Sequence, residues 1–395
     1  MTDPRTAAPA GGRHFPALPP LSLYIHVPWC IRKCPYCDFN SHAVRSEGIP
    51  EEAYVDALLA DLAAELDAVQ GRRFHSLFLG GGTPSLFSEA AIARLLEGID
   101  RLVPLDAETE ITLEANPGTF EQARFTGFRR AGINRLSIGI QSFNNRALQR
   151  LGRVHNSDEA LRAVGIARRA GFERLNLDLM FALPQQTNAE AMQDLQTAFD
   201  LAPDHISWYQ LTLEPNTAFH HQPPPLPDDD AVWAMQSEGL ERLHAEGYGR
   251  YEISAYAKPG QQSRHNLNYW RFGDYLGIGA GAHGKISFAA NGRIERRTKR
   301  RHPQDYLRHR GTQALSGSVS LEDADLPLEF LMNALRLREG VSRALFSQHT
   351  GLPDSALAPV LAQVGGLGLL EDDSTRLCTT ALGFDHLNSL LARLV

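Results

Sequence analysis

Three cysteines, Cys30, Cys34 and Cys37, fall within eight residues directly after an apolar, strand-like stretch at residues 21–27. A C-x3-C-x2-C loop at a strand end constrains the chain more than any other feature. Three thiolates can hold three irons of a 4Fe-4S cube and leave the fourth open to a ligand, whereas electron-transfer clusters have four cysteines. Structural zinc sites also close at four ligands. Two other readings stay open on spacing alone: zinc completed by a nearby histidine, His26 or His42, and plain structural thiols.

Composition narrows the setting. The chain has 395 residues, 43% hydrophobic and 22% charged, as expected of a globular protein with one large and one smaller unit. The formal net charge of -7 argues against a nucleic-acid footprint. Of four cysteines, only Cys378 lies outside the loop, so the pattern is no disulfide framework and fits a reducing cytoplasm. No apolar run is long enough for a membrane span. Residues 1–19 are rich in Pro, Ala and Gly, and read as a flexible tail.

Strand-like and helix-like patterns then alternate. Strands are expected at 21–27, 76–79, 110–113, 135–140, 175–180 and 205–213, with helices at 51–69, after Ser88, and from a cap at Ser157 to Ala170. Six such units predict an α/β fold, a partial (β/α)6 TIM-like barrel over residues 20–250. Its chemistry belongs at the C-terminal ends of the strands. Residues 251–316 read as a connecting segment. Residues 317–395 read as a smaller helical, winged-helix-like unit with a hairpin at 368–371 and 376–379. That unit holds 5 Lys+Arg against 10 Asp+Glu, so it reads as a cap on the barrel rather than a nucleic-acid binder.

The strand ends collect polar residues. The run Gly80-Gly81-Gly82-Thr83-Pro84 offers close backbone approach and a hydroxyl, or simply a tight turn. Glu114, Gln141, Arg153 and Asp178 follow on the same rim. An open iron suits a ligand that brings an amine and a carboxylate, as the methionine end of S-adenosylmethionine (SAM) does. A carboxylate could accept from that amine or a ribose hydroxyl, and Arg153 could pair the ligand carboxylate.

With YIHVPWC, the cysteine loop and GGGTP, the chain resembles the radical SAM superfamily. Within it, the chain is similar to the branch of the oxygen-independent coproporphyrinogen III oxidases and the HemW-type heme chaperones, from about residue 20 to the C-terminus. The resemblance implies that Cys30, Cys34 and Cys37 bind the cluster. It also implies that Tyr24, Tyr36, Gly81, Gly82, Thr83, Glu114, Gln141, Arg153 and Asp178 line the SAM site.

Two branches then compete. The oxidases resemble C-x3-C-x2-C-x-C, but here Phe39 takes the last position, within CDFNS, and the N-terminal extension is short. The run HNLNYW at 265–270 matches the H-N-x-x-Y-W motif of the chaperone group, suspected there of binding heme. A neutral imidazole can ligate heme iron, and Tyr269 and Trp270 could stack on a porphyrin or fill the core. His283, after a glycine-rich turn at 277–282, is a further heme candidate. The basic run 293–301 could attract heme propionates or form a solvated face. The resemblance thus implies a heme chaperone carrying a 4Fe-4S cluster, SAM and heme, with heme-accepting respiratory proteins as partners. It implies a cytoplasmic location with room for peripheral contact at the inner face of the cytoplasmic membrane and for a homodimer. The alternative is an oxygen-independent coproporphyrinogen III oxidase.

Overall fold

The computed structural model describes residues 13–118 and 121–394. Its centre is one sheet of twelve strands. In chain order these are β1 (Leu21–Val27), β2 (Phe74–Gly81), β3 (Glu110–Ala115), β4 (Arg135–Gln141), β5 (Arg174–Phe181), β6 (His205–Gln210), β7 (Gly249–Arg250), β8 (Ala255–Ala257), β9 (Asp274–Ile278), β10 (His283–Phe288), β11 (Arg293–Lys299) and β12 (Leu315–Ser320). The spatial order is β12-β11-β10-β9-β1-β2-β3-β4-β5-β6-β8-β7. Strands β1 to β6 pair in parallel, in sequence order. Among the described residues β6 does not pair with β9, so the barrel is open, as the partial-barrel reading expects.

The sequence reading stopped one parallel strand short. β9 pairs in parallel with β1, Tyr24 opposite Gly277, and makes a seventh parallel strand. Residues 251–316 are therefore no mere connector, since they supply β8 to β11 and the start of β12 of the sheet. The glycines of 277–281 hid this strand. A Cβ on Gly277 would lie 2.0 Å from the His283 carbonyl oxygen, so glycine is what lets β9 pass under its neighbour.

Helices cover the outer face where the periodicity predicts them. Ser88 caps Glu89–Leu102 by accepting from the Ala91 N–H. The helix expected to start from Ser157 is instead capped by Asn156, in a reciprocal box with Glu159. Residues 51–69 split into Glu51–Ala64 and Leu66–Val69 at Glu65. The helices and the sheet bury one large core, which includes Leu23, Ile25, Leu77, Leu113, Ile138 and Leu177, each fully buried. Each such side chain contributes roughly 1.5–3 kcal/mol.

A second core centres on Phe330, Phe346 and Leu357 of the C-terminal unit and takes in Phe272 and Ile294 of the sheet region. That unit holds helices Leu326–Ala334 and Arg343–Thr350. Its small ladder pairs Val341–Ser342 with Arg376–Leu377, and the expected hairpin is reduced to an isolated bridge between Leu370 and Thr379. The expected flexible tail divides. Residues 1–12 lie outside the described residues, but residues 13–19 are packed: Phe15 joins the second core, Arg13 pairs with Asp323, and Arg72 donates to the Pro19 carbonyl at 2.9 Å.

Candidate functional site

Strand β1 runs out at Val27 and the chain turns into the cysteine loop. Trp29–Cys30 pairs briefly with His42–Ala43, which closes the loop at its base. Between them the Cys37 N–H donates to the Cys34 carbonyl at 3.2 Å. All three cysteines line one cavity of about 610 Å³, a size usual for small-molecule sites. Burial pushes the Cys30 and Cys37 thiols up. The Thr83 hydroxyl donates to Cys30 Sγ at 3.6 Å, and Arg153 Nη1 to Cys34 Sγ at 3.7 Å.

The zinc alternative finds little support here. His26 is buried with both ring nitrogens engaged, Nδ1 accepting from the Tyr24 hydroxyl and Nε2 donating to the Asn40 carbonyl, each at 2.9 Å. The His42 ring meets Asn40 Oδ1 at 3.3 Å and stacks edge-on against His302. Among the described residues no three His, Cys, Asp or Glu side chains converge on a single-ion site.

The glycine run serves the cysteine loop as much as a ligand. Gly81 sits at φ +110°, and a Cβ there would meet the His26 ring at 2.4 Å. A Cβ on Gly82 would meet the Trp29 carbonyl oxygen at 2.5 Å. The two backbones then lock together: the Gly82 N–H donates to Val27 and the Thr83 N–H to Trp29, each at 2.7 Å. Gly81, Gly82 and Thr83 still face the same cavity as the cysteines.

The polar rim expected from the strand ends is there. Glu114, Gln141, Arg153 and Asp178 line this cavity, as does Tyr36 beside Phe219. Glu114 is half-buried, and among the described residues its one donor is the Gly81 N–H at 3.1 Å. Burial first, then the nearby Asp178, push its carboxyl up to about 8. Asp178 is also raised by burial, against donors from Ser137 at 3.0 Å and Asn176 at 2.9 Å. Gln141 takes a left-handed φ of +70°, an unusual backbone for a non-glycine residue, and accepts from the Tyr209 hydroxyl at 2.9 Å.

Residues not singled out from the sequence complete the wall. Asn116 bridges Thr83 (2.8 Å) and Arg153 Nη2 (2.7 Å). It stands two residues after Glu114, so strand alternation puts it on the same face, the one signal that could have found it. Arg153 Nη2 also donates to Gly139 at 2.6 Å, leaving its buried Nε without a partner among the described residues. His155 donates Nε2 to the Ile140 carbonyl, is pulled down to about 4 mainly by burial, and leaves a buried Nδ1 unpaired among the described residues.

This donor set fits the implied groups. Three thiols face one cavity, the two half-buried carboxylates there lack an ion-pair partner among the described residues, and Arg153 and His155, which also line it, carry an unpaired donor and an unpaired acceptor. Such carboxylates suit a ligand that brings an amine and hydroxyls. Cys30, Cys34 and Cys37 would hold the cluster, and the Glu114, Gln141, Arg153 and Asp178 rim would hold SAM.

Tyr24 and the heme candidates lie elsewhere. Tyr24 does not line the cysteine cavity but a second one, which also takes in Tyr269 and His283. His265 is only 2% exposed, with Nδ1 at 3.0 Å from Ser76 Oγ and Nε2 at 3.0 Å from the Tyr269 hydroxyl. Burial pulls it down to about 3. Both nitrogens are thus committed inside the core, so His265 is not presented to a heme iron here. Trp270 packs on the second core, 4.4 Å beneath the Arg336 guanidinium, and neither it nor His265 reaches either cavity.

Comparison with known proteins agrees with the geometry. Residues 24–198 match the radical SAM superfamily model, and residues 321–386 match the HemN C-terminal domain model. The chain is 52% identical over 374 residues to the heme chaperone HemW of Escherichia coli, covering 95% of this chain and 98% of that one. It is 55% identical over 347 residues to HemW of Haemophilus influenzae, covering 87% of this chain and 89% of that one. Among solved structures it superposes on the coproporphyrinogen III oxidase HemN of Escherichia coli with a TM-score of 0.80 at 24% identity, over 95% of this chain and 90% of that one, which shows a shared fold. The chain belongs to the radical SAM superfamily and, within it, to the HemW family.

Proposed function

We propose that this chain is a heme chaperone. It holds a 4Fe-4S cluster on Cys30, Cys34 and Cys37, binds SAM against the polar rim, takes up heme and hands it to heme-requiring acceptors, respiratory proteins among them. The observation that carries this reading is the end-to-end similarity to HemW relatives, joined to Phe39. Where the oxidases resemble a further cysteine, this chain places an aromatic ring, 59% exposed at the mouth of the cysteine cavity.

The cluster, once bound and reduced, would supply an electron for reductive cleavage of SAM. The chain's own residues bind and orient. Asn116 ties Thr83 to Arg153, and the Gly81 N–H steadies the Glu114 carboxyl. Among the described residues no helix is long and apolar enough to cross a membrane. A place in the cytoplasm, with peripheral contact at the inner membrane face, follows in this reading from where respiratory acceptors sit.

The test is a pair of anaerobic assays on the reconstituted chain: hemin titration, and incubation with coproporphyrinogen III, SAM and reductant. Saturable, near-stoichiometric hemin binding without decarboxylated product supports the chaperone. Turnover to protoporphyrinogen IX without saturable hemin binding would establish the oxidase instead.

A further inference from the structure

Beside the cysteine cavity lies a second one of about 700 Å³. Tyr24, Tyr269 and Tyr275 form an aromatic wall, and His283, Arg301 and Phe39 also border it. Phe39 borders both cavities, and its neighbours Asp38 and Asn40 line this hollow as well. The loop is tied to the same region by Asn40, whose Nδ2 donates to the Ala280 and Arg301 carbonyls at 2.9 and 2.8 Å.

Two side chains here differ from their neighbours. His283 opens β10, is exposed, and its ring makes no hydrogen bond to any described group. Burial of part of the ring, then Arg296 and Arg301, lower its pKa, so it stands neutral with a free lone pair. The basic run is otherwise spent on carboxylates: Arg293 pairs with Glu295, Arg296 with Glu329, Arg297 with Glu65 and Glu295, Lys299 with Asp61, and Arg300 with Asp305. Among the described residues Arg301 alone of that run has no carboxylate partner, and it borders the cavity.

An aromatic wall, an open neutral imidazole and an unpaired guanidinium are the three features that an iron porphyrin with propionates would need. We propose that this second cavity is the heme site, with His283 as axial ligand of the iron and Arg301 as partner of a propionate. The assignment rests on the reading that heme is the cargo, and it moves the iron ligand from His265 to His283. The bond formed is dative, from an imidazole nitrogen to iron, with loss of a labile water and no change in oxidation state.

The experiment titrates hemin into the anaerobically reconstituted full chain and reads the affinity together with the axial-ligand signature in absorbance and magnetic circular dichroism. Even outer-shell partners of a metal ligand are worth about 10–100-fold in affinity, so His283→Ala should weaken binding by at least about tenfold. It should also remove the histidine signature, which added imidazole restores. Arg301→Glu should weaken binding while keeping the signature. An unchanged signature and affinity in His283→Ala would overturn the assignment and leave the chaperone reading standing. In the unaltered chain, hemin should protect His283 from diethylpyrocarbonate, and equal labelling with and without hemin would also overturn it. If the unaltered chain shows no saturable binding, the heme-cargo reading falls and this site falls with it.

Discussion

Glu114 carries a pH dependence that can be worked out before any ligand is added. In the folded chain its carboxyl is pushed up to about 8, by burial and then by Asp178, from an ordinary 4.5. The folded state therefore holds a proton that the unfolded chain gives up. The sign follows: this stability is fully present below about pH 4.5 and is lost as pH rises through about 8. At 1.36 kcal/mol per unit, the loss between about pH 6 and about pH 9 comes to about 2–3 kcal/mol. Glu114→Gln keeps the shape and cannot ionise. Urea unfolding of the cluster-free protein, run across that range for both forms, isolates this one group. The variant should gain on the wild type by about 2–3 kcal/mol toward alkaline pH. The same variant should bind SAM more weakly once the cluster is rebuilt, because an amide cannot ionise to pair with a ligand amine. Parallel pH curves for the two proteins would refute the reasoning.

Three further expectations follow from the packing and the cysteine loop. Cys37→Ala should leave less than a full complement of iron and sulfide after reconstitution, and full loading would show that Cys37 is not a ligand. His265→Ala removes the partner of the Tyr269 hydroxyl and one of the two partners of the buried Ser76 hydroxyl, so it should cost about 1–3 kcal/mol in denaturant unfolding while leaving the hemin ligand signature intact. Phe15→Ala should cost on the order of 3 kcal/mol, because Phe15 belongs to the second core rather than to a free tail, and a neutral result would contradict that packing.

The barrel was legible because each of its first six strands is apolar, short and followed by a helix-length period. The seventh, Asp274–Ile278, was not, because glycines required by close backbone passage look in sequence like a turn. The cysteine loop and the rim of Glu114, Gln141, Arg153 and Asp178 could be read because chemistry-bearing types stand at strand ends. Asn116, Tyr209 and His155 were passed over, since their roles arise from contacts between strands that spacing does not encode. The aromatic motif's contacts were not legible either, for a related reason. His265 and Tyr269 lie one helical turn apart, so they meet each other at 3.0 Å instead of facing a ligand together. Tyr24 was assigned by resemblance to the cysteine cavity, yet its hydroxyl meets His26 and its ring borders the next hollow.

Delivery is the claim that separates a chaperone from a protein that merely binds heme. The most direct test loads the reconstituted chain with hemin, then mixes it with an apo heme-protein acceptor in the presence of excess free-heme scavenger, following both absorbance spectra. Hand-over through contact predicts that the acceptor gains heme while the scavenger stays largely empty. Heme that passes only to the scavenger, at the rate of simple release, would contradict the account.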